Sequence, residues 1–142
     1  GMFGPYEVRY ARAGKGGLNF DESRVLTSGD ELGGSGAGFP SLAVTDGGQV
    51  HILWEHYPPA RRRAVGLGFA TSRDGGESFS SPAFVPGTES SEFGFNGGLQ
   101  GRLMEKLAAH DRGTLAVVNS RFQRGDSSRI RLIRGTYDLR EE

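Results

Sequence analysis

The chain has 142 residues and balances 17 Lys+Arg against 17 Asp+Glu, so no net charge draws it to nucleic acid or to an anionic membrane. It holds no cysteine, which excludes disulfides and leaves the compartment open, and no apolar run reaches the roughly 18 residues of a membrane-spanning helix. Glycine supplies 24 residues, far above the roughly 7% of average usage, and it falls between strand-like runs as in a turn-rich β protein.

In chain order, Gly1-Met2 reads as a scar ahead of a start methionine, and no signal-peptide pattern follows it. Strands are expected at about 5–12 and 22–27. The run Gly33–Gly38 lacks the Lys-Ser/Thr of a phosphate-binding loop and any following helix, so it reads as a flexible loop. Strand-like apolar alternation appears in Val50–Trp54 and in Val65–Phe69. A final set spans about 103–137 and includes Ile130–Ile133. Its one helix-like stretch, Leu103–Ala109, falls where a repeat puts a strand and is read as strand. Asp46-Gly47-Gly48 and Asp111-Arg112-Gly113 read as type I or I′ hairpin turns. Val50, Ile52, Val117 and Leu132 are expected in the core, and Leu53 and Val118 are the residues to test for packing between sheets.

The strongest local signal is Ser72-Arg73-Asp74-Gly75-Gly76-Glu77-Ser78-Phe79. Ser72 and Asp74 can bond the turn's own amides, Gly75 and Gly76 can take positive φ, and Phe79 can fold back as an apolar plug. A degraded copy, Ala13–Phe20, lies 59 residues upstream and keeps the glycine pair and the closing Phe. Leu42–Val50 aligns with Leu107–Leu115 at an offset of 65, which continues to Val65 on Ile130 and Leu67 on Leu132. A fixed period of this size marks radial or stacked repeats.

The Ser-x-Asp-x-Gly-x-x-Phe spacing resembles the Asp-box of sialidase-like β-propellers. The resemblance covers roughly 5–137 and implies an all-β chain, a single segment of propeller repeats over 1–142. It would hold the end of one four-stranded antiparallel blade (about 5–27), a full blade (39–86) and most of a third (103–137). That is roughly nine strands, about two blades' worth, whereas closed propellers use about 4–8 blades. Open edges are avoided, so the resemblance implies completion by further blades or by a homo-oligomer, a trimer first, as in small lectins built from two-blade chains. In this family the box is structural (Ser72, Asp74, Gly76 and Phe79 here) and lies opposite the ligand face.

Carried onto this chain, that face comprises Thr27–Pro40, Glu55–Ala64, Gly87–Arg102 and Arg121–Arg129. Its candidate ligand-binding residues are Glu55, Tyr57, Arg61, Arg62, Phe93, Phe95, Arg102, Glu105 and Arg121. Glu55 and Tyr57, two apart on a strand, can pair on one face. The Arg61–Arg63 cluster can grip a carboxylate or sulfate, or serve as a solvated loop tip. Phe93 and Phe95 lie outside any expected strand as stacking platforms. Trp54 is expected to pack between blades. The family's Phe-Arg-Ile-Pro motif is reduced to Phe39-Pro40 without the arginine, and no catalytic residue is assigned. His51, His56 and His110 show no metal-ligand spacing, and no cofactor is expected. The resemblance implies a non-catalytic module binding a glycan or protein on its loop face. A sialidase-like glycoside hydrolase fragment and a purely structural repeat are the alternatives.

Overall fold

The structure, a computed structural model, describes residues 7–14, 16–27, 36–57, 64–89, 106–121 and 129–137, apart from the side chains of residues 120, 121 and 129. Among the described residues it is all-β without a helix. Its strands are β1 (Arg9–Tyr10), β2 (Arg24–Val25), β3 (Gly36–Val44), β4 (Val50–Tyr57), β5 (Gly66–Ser72), β6 (Ala83–Phe84), β7 (Leu107–His110), β8 (Thr114–Arg121) and β9 (Arg129–Thr136). They form three antiparallel sheets, β1-β2, β3-β4-β5-β6 and β7-β8-β9, and none of them closes on itself. Leu107–Ala109 lies in β7, so the strand reading holds there. Leu103–Glu105 lie outside the described residues.

One expectation fails at the start of β3. Gly36–Gly38, read above as loop, pairs with Tyr57, His56 and Glu55. Glycine serves here for closeness: a Cβ on Gly36 would stand 3.1 Å from both the Cβ and the carbonyl oxygen of Tyr57. The two hairpin turns are as expected. The Gly48 amide donates to the Thr45 carbonyl at 2.9 Å and the Gly113 amide to the His110 carbonyl at 3.0 Å, with φ of +75° and +80° at the two glycines.

β4 is covered on both faces, so Val50 to His56 are all buried, the polar His51, Glu55 and His56 included. Val50, Ile52 and Trp54 pack with Val8, Ala37 and Ala70, flanked by Tyr10, Leu26 and Phe79, against the first sheet. Leu53 joins Leu67, Val85, Leu107, Leu115 and Val117 against the third. Burying a side chain such as Leu53 or Leu67 contributes roughly 1.5–3 kcal/mol. Trp54 therefore packs between sheets, and Gly68 opposite it has no room for a Cβ, which would come within 2.3 Å of the indole.

Val50, Ile52 and Val117 are buried as expected, but Leu132 is 67% exposed. The register pairs Leu132 with Val118 and Ile133 with Val117. The odd pair faces the second sheet, and alternation turns Leu132 away from it.

The Asp-box turn closes as its residues dictate. Ser72 Oγ accepts the amides of Asp74 (3.3 Å) and Gly76 (2.8 Å) and donates to Asp74 Oδ1 (2.7 Å). The Asp74 carboxylate takes the Ser78 amide at 2.9 and 3.0 Å, and the Ser78 hydroxyl as well. Gly75 and Gly76 adopt φ of +72° and +87°. The first sheet then grips the exit of the turn. Arg24 donates to the carbonyls of Gly76 and Glu77, Arg12 to the Gly75 carbonyl and the Glu77 carboxylate, and Phe79 meets Tyr10 edge-on at 5.0 Å. In the upstream copy Ala13 bridges Phe20, and Gly16 and Gly17 take φ of +107° and +70°. Phe20 stays exposed there, because no described sheet precedes the first to offer a ring like Tyr10.

Candidate functional site at the strand ends opposite the Asp-box

β4 runs away from the Asp-box end of the second sheet, where Val50 pairs with Ser72, and delivers Glu55 and Tyr57 to the opposite end. The two side chains meet as their spacing predicts: the Tyr57 hydroxyl donates to Glu55 Oε2. A third partner closes the group, the Lys106 ammonium at the entry to β7, which donates to Glu55 Oε1. The side chains of Glu55 and Lys106 are 1% and 4% exposed, so this is a buried ion pair joining the second and third sheets. The Lys106 amide also donates to Ser41 Oγ at 3.0 Å, and the Val118 amide to the Lys106 carbonyl at 2.9 Å, fixing the backbone beneath the ammonium.

Burial pushes the Glu55 carboxyl up, opposed by its hydrogen bonds to Lys106 and Tyr57 and by the charge of the ammonium. Burial, reinforced by the bond to Glu55, pushes the Tyr57 hydroxyl up as well, so it stays a protonated donor at neutral pH. Glu55 is sealed from solvent and spoken for on both oxygens, whereas the Tyr57 ring is only half-buried.

Phe39 lies beside this group in an unusual conformation. Its φ is +51°, the one positive value at a non-glycine among the described residues. It sits in a β-bulge: Gly38 opposes Glu55 and Ser41 opposes Leu53, so β3 takes three steps where β4 takes two. Pro40, with no amide to donate, suits that interruption. The left-handed conformation costs a bulky residue roughly 1–2 kcal/mol. In return it brings the half-exposed Phe39 ring to 5.9 Å from Lys106 Nζ. The end of the two sheets thus presents two aromatic rings, Phe39 and Tyr57, above a buried Lys–Glu pair.

Of the residues singled out in the sequence, Glu55 and Tyr57 are brought together here. Arg121 ends β8, its side chain outside the described set. Arg61, Arg62, Phe93, Phe95, Arg102 and Glu105 lie outside the described residues. Lys106 escaped sequence reasoning, and Phe39 entered it only as a motif remnant within the face Thr27–Pro40. The available signal for Lys106 was Glu55 itself, since a carboxylate in a strand buried on both faces requires a cation.

Two other clusters are accounted for by structure. His51 contacts Thr71 Oγ1 through Nδ1 at 2.8 Å and lies 4.5 Å from the Tyr137 ring. Its Nε2 has no hydrogen-bond partner among the described residues, and burial lowers its pKa, favouring the neutral ring. A cleft of about 210 Å³ between the first sheet and the Asp-box is lined by Tyr10, Asp21 and Glu77 with Arg12 and Arg24. Both of its arginines are engaged by the carbonyls of the box, so it is a seam between sheets. No cluster of three or more His, Cys, Asp or Glu that could hold a metal occurs among the described residues. Comparison with protein-family models and with curated proteins gave no match.

Proposed function

We propose that this chain is a non-catalytic segment of Asp-box propeller repeats, its three sheets acting as successive blades, which binds a glycan at the strand ends around Phe39 and Tyr57. The blade reading is supported by contacts that recur at the repeat length. Ser41 with Lys106 and Asp46 with Asp111 are each 65 residues apart, the offset at which the sequence aligns with itself. Equivalent positions of neighbouring repeats lie side by side when blades are stacked around an axis. The observation that carries the binding reading is Phe39. A bulky residue held in a costly conformation with its ring half-exposed is a reason to look for a ligand. Aromatic rings beside hydrogen-bond donors suit a pyranose.

A sialidase-like hydrolase fragment is the second reading, favoured by the hydrogen-bonded Tyr57–Glu55 pair. Against it, the Glu55 carboxylate is buried and held by Lys106 as well, which leaves no oxygen facing a substrate.

The test is a panel of sialylated and neutral oligosaccharides titrated against the wild type, Phe39→Ala, Tyr57→Phe and Asp74→Ala. Binding lost in the first two variants and kept in the third is expected. A panel with no binder, or binding that survives Phe39→Ala and Tyr57→Phe, would refute the site. Release of a fluorogenic aglycone from a sialoside would favour the hydrolase.

A further inference from the structure

The second and third sheets differ at their edges. In the second, Leu67 turns its backbone groups toward β6, and both are met. Its amide donates to Thr88 Oγ1 at 3.1 Å, and its carbonyl accepts the Val85 amide at 2.8 Å. At the repeat offset its counterpart in the third sheet is Leu132. There the Tyr137 amide donates to the Gly113 carbonyl at 2.9 Å. Alternation along β9 therefore turns the odd-numbered residues toward β8, and the amides and carbonyls of Ile130, Leu132 and Arg134 outward. No described residue meets those groups. β9 also departs from β5 in charge. Gly66–Ser72 carries none, whereas Arg131 and Arg134 stand where β5 has Gly66 and Phe69. Both arginines are exposed, and no carboxylate among the described residues pairs with either. On the face turned from the second sheet, Arg134 is joined by the exposed Ile130, Leu132 and Val118.

A strand edge with open backbone groups takes up an extended segment by strand addition, and the flanking side chains select which segment. Opposite charges across a strand pair attract and like charges repel. A second β9 would bring further arginines, and a strand with the composition of β6 brings no acid, so neither neutralises this edge. We infer that β9 docks an extended acidic segment of another protein as a fourth, antiparallel strand of the third sheet. From the residue opposite Arg134 to the one opposite Ile130, that segment reads acid, any residue, apolar, acid, apolar. The acids face Arg134 and Arg131, and the apolar pair covers Leu132 and Ile130. The comparison of edges uses the repeat reading above, and the glycan plays no part in it.

The probe is the blocked peptide Thr-Glu-Thr-Val-Glu-Val-Thr, titrated into the full chain while the backbone amides are followed by NMR. Saturable binding is expected, with the amides of Ile130, Leu132 and Arg134 shifted and slowed in hydrogen exchange. Arg131→Glu/Arg134→Glu should weaken binding about tenfold or more, and should take up the same peptide with lysines in place of its glutamates. Methylating the nitrogen of the valine opposite Leu132 keeps the charge and should abolish binding, because the added strand loses a ladder bond. Retention of β circular dichroism certifies the charge-reversed variant, and Arg131→Gln/Arg134→Gln replaces it if it fails to fold. No binding, or an N-methyl peptide that binds as well as its parent, overturns the inference. The second result would make the arginines a general anion surface, open to lipid or nucleic acid. Phe39→Ala is expected to leave the peptide's affinity unchanged, so a saccharide panel without a binder leaves this result standing.

Discussion

Removing the Lys106 ammonium tests the seam between the second and third sheets most directly. Lys106→Met keeps most of the apolar stem and strands the Glu55 carboxylate, whose other partner among the described residues is the neutral hydroxyl of Tyr57. With both side chains nearly inaccessible, the pair belongs to the buried regime, where breaking it costs about 3–5 kcal/mol. For a chain of this size that corresponds to a fall in Tm of very roughly 10–20 °C. Glu55→Gln keeps an acceptor for the Tyr57 hydroxyl and strands the ammonium instead, with a loss of similar size. The double variant Glu55→Gln/Lys106→Met removes both charges and should recover most of the stability, because two uncharged residues need no mutual compensation. Urea denaturation of the four proteins yields the coupling energy. A coupling below about 1 kcal/mol, the size of a surface pair, would refute the claim that a buried ion pair holds these sheets together.

Gly68→Ala drives a methyl into the Trp54 indole, which is itself 1% exposed and hemmed in. The expected loss is about 1–3 kcal/mol or more with a shifted tryptophan emission, and a gain in stability, as alanine gives at an unconstrained glycine, would contradict the packing. The Asp74 carboxyl is held well below the usual carboxylate range by the Ser78 hydroxyl, then the Ser78 amide and the Ser72 hydroxyl. The unfolded chain therefore takes up this proton first as pH falls. The stabilisation is complete above about pH 4 and drains away as pH drops toward the folded value. Asp74→Ala should lower Tm at neutral pH, with a gap to the wild type that narrows on acidification. A gap independent of pH would mean that the charge plays no part in closing the turn.

Where short-range chemistry sets the structure, the sequence was a sufficient guide. The Asp-box depends on Ser72, Asp74 and two glycines acting within seven residues, and each formed the bonds or backbone angles its chemistry favours. The grouping into two, four and three strands is the one that the resemblance to propeller repeats implied. Leu132 shows where that reasoning stops. Its strand pattern matches that of Leu67, but burial depends on whether another sheet lies above, and alternation carries no information on that. Gly36 was misread for a related reason, since glycine in a loop and glycine pressed against a neighbouring strand look alike in one dimension. At the candidate site, the Glu55–Tyr57 contact is local and was legible. Lys106 is 51 residues from Glu55, and only the stacking of sheets brings it there.

β4 leaves its two faces to different neighbours, Ile52 and Trp54 to one and Leu53 to the other. Adjacent residues thereby act on separate seams, so a change of one methylene at position 52 or at position 53 loosens or tightens a different joint. The joints can then drift apart in strength through single substitutions one residue apart. The order in which the sheets let go of one another is written along a single strand.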